Sequence, residues 1–300
     1  MAERFRILDK DTAGIPREHG VLNINGASLI EVPDGLPNAL GRYYLYFAHH
    51  SGAYIRLAYS DDLYGDWTVY EAGTLHLEQT PCHNHIASPD VHILPDTQEI
   101  RMYFHGPVVP ERDGMRHFAQ QHPIIGHQRT FVATSTDGIN FTMVHDAVLG
   151  TSYFRVWQWR GAWYAIGMPG IMYRSLDGGV TFEAGRQLFA DEFRHAAVAL
   201  DGDRLSVYYT MVGDCPERII CSTIDMTDDW DQWQASPAVD ILRPIYDWEG
   251  VDQPHVPSQR GFAGEPVYQL RDPAIYEAHQ QRHLLYSFAG EQGIAITRLD

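Results

Sequence analysis

The chain has little that would suit a nucleic-acid or membrane protein. Its 300 residues carry 22 Lys and Arg against 39 Asp and Glu, a formal charge of −17. No basic stripe is present to neutralise phosphates, so no nucleic-acid partner is expected. The same charge favours solubility and repels anionic membrane surfaces. No apolar stretch is long enough to span a bilayer, and MAERFRILDKDTAGIP at the N-terminus holds no run of signal-peptide length. A cytoplasmic protein with no membrane partner is therefore expected. Cysteine is scarce: Cys82, Cys215 and Cys221 are odd in number and at no metal-ligand spacing, which favours reduced thiols. Long Ala-, Glu- and Leu-rich helical tracts are also missing.

What remains is strand-forming. The chain is 44% hydrophobic and 12% aromatic, with 17 tyrosines and 7 tryptophans, a bias toward pleated, half-buried surfaces. Five segments resemble one another: RYYLYFAHHSGAYIRLAYSDD, EIRMYFHG continuing as QRTFVATSTDG, AWYAIGMPGIMYRSLDGG, RLSVYYTMVGDCPERIICSTID and RHLLYSFAGEQGIAITRLD. Each is an aromatic strand, a turn and a second strand ending near Ser or Thr and Asp. A further strand precedes each pair: NGASLIEV, SPDVHIL, YFRVWQW, HAAVALD and RDPAIYEA. Outer strands follow as DWTVYE, FTMVH, TFEAG and WDQWQAS. Turns such as Asp137-Gly138 and Asp177-Gly178-Gly179 supply the positive φ that tight reversal needs. The reading is an all-β, five-bladed β-propeller of four-stranded antiparallel blades, one domain over residues 1–300. The fifth unit lacks an outer strand and RFRILDK has no unit of its own, so the N-terminal strand is expected to complete the last blade.

In a propeller the inner strand of each blade lines the axis, and its start shares a rim with the end of the second strand. This brings together Asn25, Asp90 with His85, Arg155, Arg194 with His195, and Arg271 with Asp272. His49, His50, His105 and Glu291 join them from the second-strand ends. Two long loops, GPVVPERDGMRHFAQQHPIIGHQ and PIYDWEGVDQPHVPSQRGFAGEP, are rich in Pro, Gly and His and sit where binding groups concentrate.

LRDPAIYE followed by HLLYSFAGEQGIAI, within a five-unit meander, resembles the five-bladed propeller glycosidases of glycoside hydrolase families 43 and 32. The resemblance implies an acid in the first blade, another in the second and a Glu further on, acting on a sugar in the funnel. Asp90 in ASPDVHIL matches the second-blade acid. The first blade offers Asn25 where an Asp would stand, and the third has Arg155 and no Glu. Hydrolysis of a glycoside needs a proton donor and a base or nucleophile. Asp90 and Asp272 are the candidate pair, with Glu265 and Glu192 as substitutes. Arg271 beside Asp272 would depress its pKa and suit it to the base role.

A small saccharide is the expected partner. Asn25, His49, His85, His105, Arg155, Arg194, Arg271 and Trp248 are the candidate contacts, and the three arginines fit an acidic sugar. No cofactor is required by this reading. The 16 histidines and the stretch CHNHIASPDVH keep open a divalent metal, calcium or zinc, on the axis. The resemblance points to His195 as the residue beside it. Two other readings stay open: a metal- or His-dependent hydrolase or lyase on the same scaffold, and a non-catalytic sugar-binding propeller.

Overall fold

Each repeat forms one antiparallel sheet in the computed structural model, which describes residues 3–17, 21–121 and 125–299. The N-terminal strand is β1 (Arg4–Leu8). Blade one follows as β2 (Asn25–Glu31), β3 (Tyr43–Ala48), β4 (Arg56–Ser60) and β5 (Thr68–Tyr70). Blade two holds β6 (Ala87–Ile93), β7 (Ile100–Pro107) and β8 (Gln128–Ser135), with the short β9 (Thr142–Met143) and β10 (Gly150–Thr151) both paired to β8. Blade three is β11 (Arg155–Trp159), β12 (Ala162–Gly167), β13 (Ile171–Ser175) and β14 (Glu183–Gln187). Blade four is β15 (Phe193–Asp201), β16 (Arg204–Met211), β17 (Ile219–Asp225) and β18 (Val239–Leu242). Blade five runs β19 (Arg271–Ala278), β20 (Gln281–Phe288), β21 (Gly293–Leu299), and β1 closes it.

Strands that are apolar on both faces are explained by blade stacking. Successive side chains point to opposite faces, and each face meets a different neighbouring blade. In β3, Leu45 and Phe47 pack toward blade five with Leu285 and Ile296, whereas Tyr44 and Tyr46 pack toward blade two with Met102 and Phe104. Further clusters fill the remaining interfaces, around Phe154 and Tyr173, around Trp157, Tyr164 and Trp233, and around Tyr208 and Tyr286. The tryptophans Trp157, Trp159 and Trp163 are thus core residues. The Asp137 and Asp177 turns are structural too: Asp137 Oδ1 accepts the Ile139 and Asn140 N–H groups, and Asp177 Oδ1 those of Val180 and Thr181.

Closure is made by pairing and by a buried charge. Phe5 faces Ile296 across the β1–β21 ladder. Arg4 Nη1 reaches both oxygens of Glu249 at 2.7 and 2.8 Å. Glu249 is fully buried and also accepts from Tyr286 Oη and the Ile245 and Tyr246 N–H groups. The outer strand of blade four differs from expectation. WDQWQAS forms a 3-10 turn at Trp230–Gln232, because Trp233 is buried in the blade interface with its Nε1 donating to the Thr227 carbonyl, and the outer strand falls at Val239–Leu242 instead. The blade-two loop contains one short helix, Arg116–Gln121. Among the described residues no helix is long and apolar enough to cross a membrane.

Candidate functional site

One irregularity repeats in every blade and builds the site. At the start of each inner strand the backbone turns into the left-handed region, at Gly26 (φ 63°), Ser88 (51°), Tyr153 (63°), His195 (49°) and Asp272 (48°). In blades one, two, four and five the ladder skips there, between Asn25 and Ser28, Ala87 and Asp90, Arg194 and Ala197, and Arg271 and Ala274. These are β-bulges, which re-aim a side chain where pairing is interrupted. Four of the five positions are not glycine, and each such residue carries a backbone cost of about 1–3 kcal/mol, a strain concentrated at functional sites. Gly26 has a steric reason of its own. A Cβ there would approach the Ser88 Cα at 2.9 Å, so blade one has no room for a side chain at the level of Asp272.

Above this ring lies a cavity of about 250 Å³, walled by all five blades and both long loops. Ser88, Tyr153, His195 and Asp272 line it together with Asn25, His50, His85, His105 and Arg260. Among the described residues lining it, Asp272 is the single carboxylate. Tyr153 Oη donates to Asp272 Oδ1 at 2.7 Å, and Oδ2 has no hydrogen-bond partner. Burial, then the nearby Glu291 carboxylate, push the Asp272 carboxyl up to about 6, against the pull of Tyr153, Arg194 and Arg271. The direction is opposite to the one expected from the Arg271-Asp272 sequence. Arg271 is already committed: it pairs with Glu291 Oε1 and Glu217 Oε2, each at 3.0 Å, and donates to Gln269.

The imidazoles around Asp272 are held neutral. Burial lowers the His50, His105 and His195 pKa values, the last two far below the usual range, and lowers His85 to about 4. Arg194 Nε and Nη2 donate to His195 Nε2 at 3.1 and 2.8 Å, which assigns the ring proton to Nδ1. His105 Nδ1 accepts the Tyr153 N–H at 3.2 Å, so its Nε2 carries the proton. Arg194 also donates to the Gln259 and Gly261 carbonyls, and Arg271 to Gly261. The blade-five loop is pinned over the axis by these two arginines.

The other expected residues fall elsewhere. Asp90 lies two residues past Ser88, so its side chain belongs to the next layer down and lines a separate channel of about 120 Å³ with Ser28, His92, Arg155 and Ala197. Asp90 and Asp272 thus do not share a cavity. Burial would raise the Asp90 pKa, but His92 at 2.9 Å, Arg155 and the Val156 N–H outweigh it and hold the carboxyl low. Arg155 plugs the axis beneath the ring. It donates to the carbonyls of Ala27, Pro89 and Ala196, from three other blades, and its guanidinium lies 4.7 Å from the Tyr153 ring centre. Glu192 and Glu265 are exposed and do not line the cavity. Trp248 stacks on Tyr246 and packs against Phe288, beside an outer groove along β1. His49 is buried behind the rim, its Nδ1 accepting the Ser51 N–H, and His50 takes the lining place. Asn25 lines the cavity, with Nδ2 donating to Asn23 and Glu291.

Among the described residues the axial side chains do not form a metal-binding donor set: no three His, Cys, Asp or Glu side chains converge as a metal requires. His195 Nε2 already receives Arg194, and its Nδ1 lies 3.5 Å from Thr210 Oγ1. Sequence reading missed Tyr153, Arg260 and the buried Glu217. Tyr153 was legible only by aligning TSYFRV with RHA and RDP at the bulge. The two loop-borne groups carry no repeat signal.

Comparison with known proteins agrees with this architecture. No family model matches the chain. Uncharacterized protein R118 of Acanthamoeba polyphaga mimivirus is 34% identical over 311 residues, covering 93% of this chain and 84% of that protein. Among solved structures, a family 43 β-xylosidase/α-arabinofuranosidase from a compost metagenome, in complex with xylotriose, has TM-score 0.62 at 12% identity, covering 100% and 96% of the two chains. An endo-1,4-β-xylanase of Bacteroides thetaiotaomicron has TM-score 0.60 at 12% identity, covering 93% and 91%. A family 32 β-fructofuranosidase of Bombyx mori has TM-score 0.61 at 13% identity, covering 100% of this chain and 63% of that one. At such identities the likeness is one of fold, and the fold is the five-bladed propeller of these enzymes.

Proposed function

We propose that this chain, which belongs to the same family as the mimivirus protein R118, is a carbohydrate-active enzyme that hydrolyses a small saccharide in the axial cavity. The observation that carries the reading is Asp272: a carboxyl held at about 6, on a strained bulge in the wall of a polar cavity, with Oδ2 buried and unpartnered. A carboxylic acid of that pKa donates a proton efficiently near neutral pH. Asp272 would protonate the leaving glycosidic oxygen. A neutral imidazole takes the place of the second carboxylate and draws the proton from water. His50 is the candidate, since its ring lines the cavity and burial keeps it in the neutral form that can accept a proton. Tyr153 holds Asp272 in orientation, and Arg155 seals the floor. The fold likeness to a xylanase, a β-xylosidase/α-arabinofuranosidase and a β-fructofuranosidase supports a saccharide without naming it.

Arg260 bears on the kind of sugar. It lines the cavity beside Arg194, and burial and that neighbour's charge both lower its pKa. An exposed guanidinium at the cavity wall, its Nη2 donating to the Asp191 carbonyl, favours a substrate carrying a carboxylate or sulfate. A second reading, a sugar-binding propeller without turnover, is favoured by the single carboxylate in the cavity. The test is product analysis by chromatography over neutral, uronic and sulfated oligosaccharides, with wild type and Asp272→Asn. Hydrolysis of one class, lowered by about 10²–10⁴ in the variant, supports the enzyme. Saccharide binding with no product in either protein selects the second reading.

A further inference from the structure

Phe262 is half exposed, at 50%, one of several large apolar side chains that the blade-five loop leaves at the surface. Single exposed hydrophobic residues are ordinary on a protein surface. This one differs in where it stands and how it is held. Its neighbours Arg260 and Gly261 line the cavity. The Gly261 carbonyl accepts from Arg271 Nη1 at 3.1 Å and from Arg194 Nη2 at 3.3 Å, so the backbone beneath the ring is anchored to the axis. Gly261 itself sits at φ 93°, a backbone conformation that glycine adopts without the cost a side chain would bring.

The ring also joins a ladder of aromatic faces that leads inward. Phe262 lies 5.6 Å from the His50 ring at 35°, and His50 lies 6.1 Å from His85 at 29°. His50 and His85 line the cavity, whereas Phe262 does not. The ladder thus starts outside the cavity and ends within it. Its outermost ring keeps exposed surface, and its position is fixed by its histidine neighbour and by the anchored loop. A sugar ring presents an apolar face of C–H bonds and a rim of hydroxyls, so a fixed, exposed aromatic face at the mouth of a polar cavity matches its chemistry.

From this arrangement we infer that Phe262 is a substrate-binding platform for a second sugar ring, outside the cavity that holds the first. The site then selects saccharides of two or more residues over the free monosaccharide. The inference rests on the saccharide reading above, but it concerns binding and not turnover. Phe262 is a specificity residue and makes no contact with the reacting atoms.

The test is binding, measured with Asp272→Asn so that turnover does not intrude. Monosaccharides and the matching di- and trisaccharides of xylose, arabinose, galactose, glucose and glucuronic acid serve as probes, by saturation-transfer NMR and then calorimetry. For the first series that binds, the disaccharide is expected to bind more tightly than its monosaccharide. Adding Phe262→Ala is expected to lower disaccharide affinity about ten-fold, about 1.4 kcal/mol, and erase the advantage. Phe262→Trp should retain it, with unchanged melting of all three proteins as the folding control. An advantage that persists in Phe262→Ala, or affinity independent of chain length, overturns the platform and leaves the saccharide reading standing. Failure of every probe to bind overturns both.

Discussion

Replacing Asp272 by Asn should make the protein more stable, and increasingly so as pH rises. The carboxyl is 3% exposed and its pKa is raised from 3.8 to about 6 by burial and by Glu291. Below pH 3.8 the group is protonated in both the folded and unfolded chain. Between 3.8 and about 6 the folded chain keeps a proton that the unfolded chain releases, so stability falls as pH rises through this window. Above it the full cost of the buried charge is present. At about 1.4 kcal/mol per pH unit, the difference amounts to about 3 kcal/mol. Asn keeps the shape and still accepts from Tyr153, but never ionises. Urea unfolding of both proteins at intervals from pH 3 to 8 reads Asp272 together with its interaction with Glu291, because groups remote from the pair titrate alike in both proteins. The stability gain of the variant should grow by about 3 kcal/mol across the series and level off above pH 7. A gain that does not change with pH would refute the reasoning, since it would place the Asp272 pKa at its unfolded value.

Arg4→Ala leaves Glu249 buried without its cation, and loss of one partner of a buried pair costs about 3–5 kcal/mol; a melting temperature within two degrees of wild type would contradict the closure, and removal of residues 1–10 should unfold the ring outright. Arg155→Met strips donors from carbonyls of three other blades and should lower stability by about 3 kcal/mol, read by urea unfolding, while leaving the cavity lining in place. Asp90→Asn should destabilise the fold near neutral pH, and the loss should shrink as pH falls below 3.8, because the lowered Asp90 pKa gives stability that is present above 3.8 and lost as pH falls through the folded value. Its saccharide turnover should stay within about three-fold of wild type, far from the 10²–10⁴ expected for a proton-transfer group. A turnover loss in that larger range would return Asp90 to the site.

The propeller was legible because the repeat writes the same aromatic strand five times, and because RFRILDK had no partner but the incomplete last unit. The cavity was legible only in part. Inner-strand starts do gather at the axis, and Asn25, His85, His105, Arg194, His195 and Asp272 all line the cavity. The bulge was not foreseen, and one extra residue decides which layer a side chain enters. Asp90 and Asp272 look equivalent in ASPDV and LRDPA, yet Ser88 is the true counterpart of Asp272, and Asp90 that of Ala274. Arginine roles were misjudged for a similar reason. Arg155 and Arg271 read as substrate contacts, but a buried guanidinium has five donors to satisfy, and carbonyls and carboxylates of the fold take them. Trp248 drew notice as a loop aromatic, while Phe262 in the same loop stands at the cavity mouth.

The role proposed for Asp272 is that of proton donor in a saccharide hydrolase. Its most direct test is the pH dependence of kcat/KM on the saccharide that the product screen identifies, from pH 4.5 to 8.5. The expected profile has a basic limb with an apparent pKa near 6, on which activity falls ten-fold per pH unit as Asp272 loses its proton. A profile flat across this range, or the same limb in Asp272→Asn, would contradict the claim.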